Sequence, residues 1–282
     1  MKIRLRRVLC ITGAVILAVP VAVAGVGVAT FAALPFIASV LPLELSRTTL
    51  SDGARKVEMQ GMIHIASPEF YHDVGELVAR RRAEGWLVFY EGVRDDVGRG
   101  DDAFSDVLNS LGGSPNLLAD SEAHPYEMLA PALAEGLVLQ DNEAIIGRPG
   151  PDVRNVDVTL SELLAELPPT PPSAHDRQPD APFTLTEVRE TFDGLPGWVQ
   201  DRVRAAFQIL LATTTSGRYA HAVLPPAITT LREQRVARAI EDARDRSILV
   251  LYGQLHISAI SSHLIAADPA WRIVSTAPVK PF

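Results

Sequence analysis

One cysteine stands in 282 residues, and Cys10 lies inside an apolar run. A disulfide framework, a cysteine-ligated zinc site and a soluble thiol nucleophile are thereby excluded. The common catalytic signatures are missing too. There is no H-E-x-x-H, no G-x-x-x-x-G-K-[ST] and no G-x-G-x-x-G, which argues against common zincins, P-loop NTPases and typical dinucleotide binders. No G-x-S-x-G elbow occurs, so the usual α/β-hydrolase triad has no support. Positive charge is scarce where a nucleic-acid binder would need it. The formal charge is −8, and Lys2, Arg4, Arg6 and Arg7 contribute +4, leaving −12 on the rest of the chain. Such a surface repels phosphate backbones. Polar chemistry must come from seven histidines, the carboxylates and the hydroxyls.

Charge of either sign is absent from residues 8–43, where only Thr12, Thr30 and Ser39 are clearly polar. As one helix this stretch would extend about 54 Å, well beyond the roughly 30 Å hydrocarbon core of a bilayer. Pro20, Pro35 and Pro42 also oppose a single straight rod. The expectation is an N-terminal membrane anchor over residues 1–43, with one transmembrane helix at about 8–30. The four basic residues before it keep the N-terminus cytoplasmic and place the following domain outside. Two alternatives stay open. One is a cleaved signal peptide ending near Ala22-Val23-Ala24, which would give a secreted protein. The other is a hairpin of two short spans, which would return the domain to the cytoplasm. Arg6-Arg7 also suits a twin-arginine signal.

Residues 44–282 (282 − 43 = 239) suffice for one domain with a sizeable core. Lys56 to Ile65 reads as a strand. Ser67-Pro68-Glu69 is a helix start with a hydroxyl cap, a first-turn proline and an acid. The helix should run to about Ala83 and stop at Gly85, and Trp86 to Tyr90 should be a buried strand. The grammar repeats near the C-terminus, with a helix over 226–246, a strand over Ser247 to Ile257, a helix over Ser258 to Ala267 and a strand over Trp271 to Ser275. Alternation at both ends predicts an α/β domain with a central, mostly parallel sheet and flanking helices. Helical patches are expected at Ala103 to Leu111, Pro125 to Glu135, Leu160 to Leu167 and Leu185 to Thr213. Eight prolines between Pro149 and Pro182 mark a proline-rich loop over about 168–182, a lid or a linker.

Two distant segments share one pattern, Gly61-Met62-Ile63-His64 and Gly253-Gln254-Leu255-His256. Each follows an apolar strand and precedes a helix, so each histidine should stand at the carboxyl end of a strand, where open α/β sheets bind ligands. Glycine three residues earlier allows close backbone approach. Glu91 ends the run Trp86 to Tyr90 and should converge on the same crevice, unless it is merely an exposed strand-end acid. Two imidazoles and a carboxylate are a plausible set for a catalytic divalent metal. On the late helix, Ile228, Leu231, Ala239 and Ala243 define an apolar sector containing Arg235. Arg232 projects there as well, and periodicity does not choose between them. A basic side chain on a packing face requires an anionic partner, Glu91 or a substrate oxyanion, unless it snorkels at the edge of the sheet. His72, His124 and His175 read as surface residues, His221 and His263 could approach the site, and Ser67 and Ser258 read as helix caps.

Taken in order, Gly61-x-x-His64, Glu91, Arg235 and Gly253-x-x-His256 resemble the TraB/PrgY/GumN/TIKI superfamily, whose wider relatives are the erythromycin esterase-like and ChaN-like proteins. The resemblance covers roughly Val57 to Glu91 and Leu231 to Val274. Asn155-Val156-Asp157 is similar to an acidic spot in some members, and residues 100–220 are otherwise unmatched. The resemblance implies a metal-dependent, metalloprotease-like hydrolase that cleaves a peptide or related acyl bond outside the cytoplasm. His64, Glu91 and His256 would then be metal-site residues, and Arg235 a catalytic residue orienting the carboxylate or stabilising negative charge. Many members carry asparagine after that arginine, whereas Val236 stands here. The rival expectation within the superfamily is a non-catalytic protein that binds or inhibits a peptide, or binds haem.

Overall fold

The computed structural model describes residues 30–98, 130, 133–167 and 185–282. The expected span at about 8–30, the patch at Ala103 to Leu111, most of Pro125 to Glu135, the loop at 168–182, His124 and His175 lie outside the described residues. Among the described residues no helix is long and apolar enough to cross a membrane.

The domain is α/β, as its alternating pattern requires. A helix over residues 30–40 (α1) leads into β1 (Leu45–Ser51) and β2 (Lys56–Met62), followed by the short β3 (Ile65–Ala66), α2 (Pro68–Ala83) and β4 (Leu87–Tyr90). Next come β5 (Val138–Leu139), α3 (Asn142–Ile146), β6 (Val153–Asn155) and α4 (Leu160–Glu166). The C-terminal part contains α5 (Leu185–Asp193), α6 (Gly197–Thr214), α7 (Arg218–Val223), α8 (Thr230–Asp242), β7 (Ile248–Gly253), α9 (Gln254–Ala267) and β8 (Arg272–Val279).

Six strands form one sheet in the order β6-β4-β7-β2-β1-β8, and β3 pairs with β5 in a separate ribbon. β6, β4, β7 and β2 are mutually parallel, whereas β1 is antiparallel to both β2 and β8. The expected β-α-β unit is present, but its two strands do not touch. β7, contributed from far along the chain, inserts between β2 and β4. Two motifs nearly 200 residues apart are thereby brought onto neighbouring strands.

The central strand shows why the sheet is covered on both sides. In β7, Ile248, Val250 and Tyr252 pack with Val236, Ile240, Ile257 and Ile260 under α8 and α9. The alternate residues Leu249 and Leu251 pack with Val74, Leu77 and Val78 of α2. Period-two alternation sends successive side chains to opposite faces, so a strand apolar at every position needs two covers. Each such fully buried aliphatic side chain contributes about 1.5–3 kcal/mol. On the far edge β8 is exposed along most of its length and carries Pro278, which spares this edge a donor that further pairing would need.

Local signals were obeyed at α2. Ser67 accepts from the Phe70 N–H at 3.2 Å, Pro68 opens the helix, and Gly85 follows it with φ +82°. Two boundaries differ from expectation. The strand expected over Lys56 to Ile65 breaks at Met62, because Ile65-Ala66 turns away to pair with β5. The strand expected to reach Ile257 ends at Gly253, and α9 starts at once. His256 is thus in the first turn of a helix, and Ser258 is inside that helix rather than capping it. Leu185 to Thr213 is two helices, since Gly194-Leu195-Pro196 separates α5 from α6.

Candidate active site

The carboxyl ends of β6, β4, β7 and β2 lie side by side, and each delivers polar groups to one crevice. Glu91 follows β4, Asp157 follows β6, Gly253 ends β7 and His64 stands two residues beyond β2. The Glu91 carboxylate meets the start of α9, where the Gly253 N–H donates to its Oε2. A helix N-terminus carries partial positive charge, so an anion is stabilised there. Gly253 leaves room that a side chain would crowd: a Cβ on it would stand 3.0 Å from Glu91 Oε2 and 3.5 Å from His256 Cδ2. The space left by this glycine is thus bordered by both the carboxylate and the imidazole.

The arginine that reaches this crevice is Arg232. Its Nη2 donates to Glu91 Oε1 at 2.6 Å and to Asp157 Oδ2 at 2.5 Å, while its Nε donates to Asp157 Oδ1 at 2.9 Å. Asp157 is fully buried and also accepts from Tyr252 Oη at 2.8 Å, Gly92 N at 3.1 Å and Val158 N at 2.8 Å. The fork-to-carboxylate geometry is that of strong charge-assisted pairs. Arg235, one turn later, instead pairs with Glu162 at the half-exposed rim of α8 and α4. The buried face of α8 is Arg232, Glu233, Val236, Ala237 and Ile240, which corrects the sector read from Ile228, Leu231 and Ala239. Val236, which follows Arg235, is plain core.

Opposing forces set the protonation of this group. Burial pushes the Glu91 carboxyl up, but Arg232, followed by His256 and His64, holds it below its ordinary 4.5. Burial likewise raises Asp157, and its bonds to Arg232 and Tyr252 more than reverse that. Tyr252 is driven well above the ordinary tyrosine range by burial and by the two carboxylates, so its hydroxyl stays a donor. Arg232 is held charged by Glu91 and Asp157 against the effect of burial.

Beyond Gly253 lies a second cluster centred on a residue that motif reading missed. Glu233 is fully buried on α8, and its Oε1 lies 2.9 Å from His256 Nδ1 and 2.9 Å from His221 Nε2. His263 Nε2 is 4.0 Å from Oε2, an oxygen with no hydrogen-bond partner among the described residues. The signal that would have found Glu233 is its adjacency to Arg232: two charged residues in the packing face of an amphipathic helix. His256 itself is 1% exposed. With Nδ1–H donated to Glu233, its neutral ring carries the lone pair on Nε2, which is bonded to the Cδ2 that lies near Gly253. His64 is exposed at the mouth and close enough to act electrostatically on Glu91. His72 is a surface residue of α2 near Glu76, as expected.

His256 bonded to an outer carboxylate resembles the way ligating histidines are oriented. The proposed partners do not match that picture. Both Glu91 oxygens are already engaged, by Arg232 and by Gly253, and a cation would sit against the guanidinium. Among the described residues no group of three histidine, cysteine or acidic side chains is arranged to hold a metal ion. A divalent ion shared by His64, Glu91 and His256 would compete with Arg232 and the Gly253 N–H for the Glu91 oxygens. In comparisons with known proteins, the chain matches no family model, no curated protein and no solved structure.

Proposed function

We propose that this crevice is the active site of a hydrolase acting on a peptide or related acyl bond, the activity that the TraB/TIKI resemblance implies. The observation that carries the reading is the His256–Glu233 pair at the carboxyl end of the central strand. A buried carboxylate holding Nδ1 fixes the tautomer and stabilises the imidazolium, while Nε2 is left to take a proton. His256 accepts that proton from a water molecule as its oxygen attacks the acyl carbon. The leaving group receives a proton in return, from His256 or from His64 at the mouth. Arg232 is spent on Glu91 and Asp157, so it acts as a positioning residue that keeps the floor rigid.

Charge supports a neutral or cationic substrate. Glu91 and Asp157 share one guanidinium, which leaves the floor with an excess negative charge. A phosphate ester would be repelled here, and an amide or carboxylic ester would not.

The test is turnover of a mixed peptide and ester panel by the full chain and by its His256→Ala, Glu233→Gln and His64→Ala variants. His256→Ala should lower kcat/KM by about 10²–10⁴-fold, the usual worth of a positioned base. Folded variants with undiminished turnover defeat the proposal. Capture of intact peptide without product identifies the non-catalytic relative instead. Dialysis against a chelator should leave turnover unchanged. Loss on chelation, restored by a divalent ion, would favour the metal-bound arrangement of His64, Glu91 and His256, with Glu91 released from Gly253.

A further inference from the structure

Helix α1 has an outer surface that water does not suit. Phe36 is 71% exposed, Val40 57%, Leu41 52% and Phe31 38%, and no residue from 8 to 43 carries a charge. The inner side is Ala33, Leu34, Ile37 and Ala38, buried or half-buried. A helix without a polar face is ordinarily enclosed by protein or lipid. Among the described residues, protein encloses only one side. A shallow cleft lined by Pro35, Ala38, Asp201, Arg204 and Ala205 joins α1 to α6.

α6 extends the same apolar surface. Its Trp198 is 59% exposed and meets Phe31 edge to face, with ring centroids 6.3 Å apart. The Arg202 guanidinium lies 5.7 Å from the Phe31 ring centre and 5.4 Å from that of Trp198. A half-sunk indole beside a snorkelling arginine is the pairing found at the boundary between headgroups and acyl chains.

What lies upstream selects the occupant. Residues 8–29 are 22 uncharged residues preceded by four basic ones, the length and flank of a single span, and the described part of α1 follows them in sequence. The described residues of α1 cover only about 16 Å, so a span ending just before them would keep its outer face near the lipid boundary. Topology adds a consequence. β1 is antiparallel to β2, so its first residues lie at the carboxyl ends of the parallel strands, and Ser46 N–H bonds Gln254 Oε1 at 2.7 Å, two residues before His256. α1 therefore leaves the sheet at the crevice end.

We propose that the outer faces of α1 and the start of α6 rest on a lipid bilayer, keeping the crevice end of the sheet at the membrane surface. If the crevice is the hydrolase site proposed above, its substrate is a membrane-associated peptide or acyl compound. The docking itself does not depend on that activity.

The full chain is incorporated into phosphatidylcholine–phosphatidylglycerol vesicles containing lipid brominated close to the headgroup, and tryptophan emission is compared between the native chain and a Trp198→Phe variant. Trp198 is exposed, so its replacement leaves the core intact, and the difference isolates its signal from Trp86 and Trp271. The expected result is a blue-shifted Trp198 component that the brominated lipid quenches, with quenching absent in the variant. An alkaline wash of the same vesicles reports separately on the upstream span. Retention without quenching overturns the docking face while leaving the span. Quenching without retention supports the face and removes the span. A Trp198 signal insensitive to lipid but dependent on protein concentration assigns the face to a second copy and overturns the proposal. None of these readings involves His256, so the hydrolase reaction stands or falls on its own test.

Discussion

Arg232 and Arg235 are three positions apart on one helix, and they belong to different environments. Arg232 closes a buried triad with Glu91 and Asp157; Arg235 pairs with Glu162 where both side chains are more than a third exposed. Removing one partner of a buried ion group leaves uncompensated charge, whereas an exposed pair is weakened by solvent and by side-chain entropy. Arg232→Met should lower unfolding free energy by about 3–5 kcal/mol, enough to threaten the fold of a typical domain. Arg235→Met should cost at most about 1 kcal/mol. Urea unfolding followed by circular dichroism separates the two. Equal losses would mean that the arginines have been assigned to the wrong partners.

At the scale of elements, the two glycines of the repeated motif have distinct jobs. Gly253 admits Glu91. Gly61 admits a side chain from the neighbouring segment: a Cβ there would overlap Gln254 Oε1, approach its Cδ to 2.9 Å and come within 3.2 Å of the Ser46 carbonyl. The Gln254 amide cannot simply swing aside, since it accepts from Ser46 N at 2.7 Å and Ser46 Oγ at 3.1 Å. It ties β1 to the first turn of α9. Gly61→Ala should therefore cost about 1–3 kcal/mol through strain and lost hydrogen bonds. In a Gln254→Ala background the same change should cost far less, since the clashing group is gone. A double-mutant cycle by chemical denaturation measures the difference, and strict additivity of the two changes would refute this account.

For the whole molecule, the buried carboxylates set a dependence on acid. Glu91 and Asp157 are both held below their ordinary values of 4.5 and 3.8. The unfolded chain then binds protons more readily than the folded one over this range. Their contribution is complete above about pH 4.5 and is lost as pH falls through the folded values. Stability measured from pH 7 downward should decline below about pH 4.5, and Asp157→Asn should make that decline shallower while lowering stability at pH 7. A decline already complete by pH 6 would overturn this assignment.

Strand and helix grammar, the cap at Ser67, the stop at Gly85 and the strand-end position of Glu91 were legible because they depend on neighbours within a few residues. The buried strand at Trp86 to Tyr90 was legible for the same reason, as an unbroken apolar run. The choice of Arg232 over Arg235, the central role of Glu233 and the burial of Asp157, which the resemblance marked only as an acidic spot, were not legible. They depend on β7 inserting between β2 and β4, on where α8 crosses the carboxyl ends, and on how β6 aligns beside β4. Periodicity gives a helix its faces, but only packing decides which face meets the sheet and which charged residues are buried with it. The sequence alone thus determined an α/β domain, its repeated glycine–histidine segments and its uncharged leader. Tertiary structure alone decided which groups share a crevice, because the desolvation that makes a buried charge require a partner arises only when distant segments close over it.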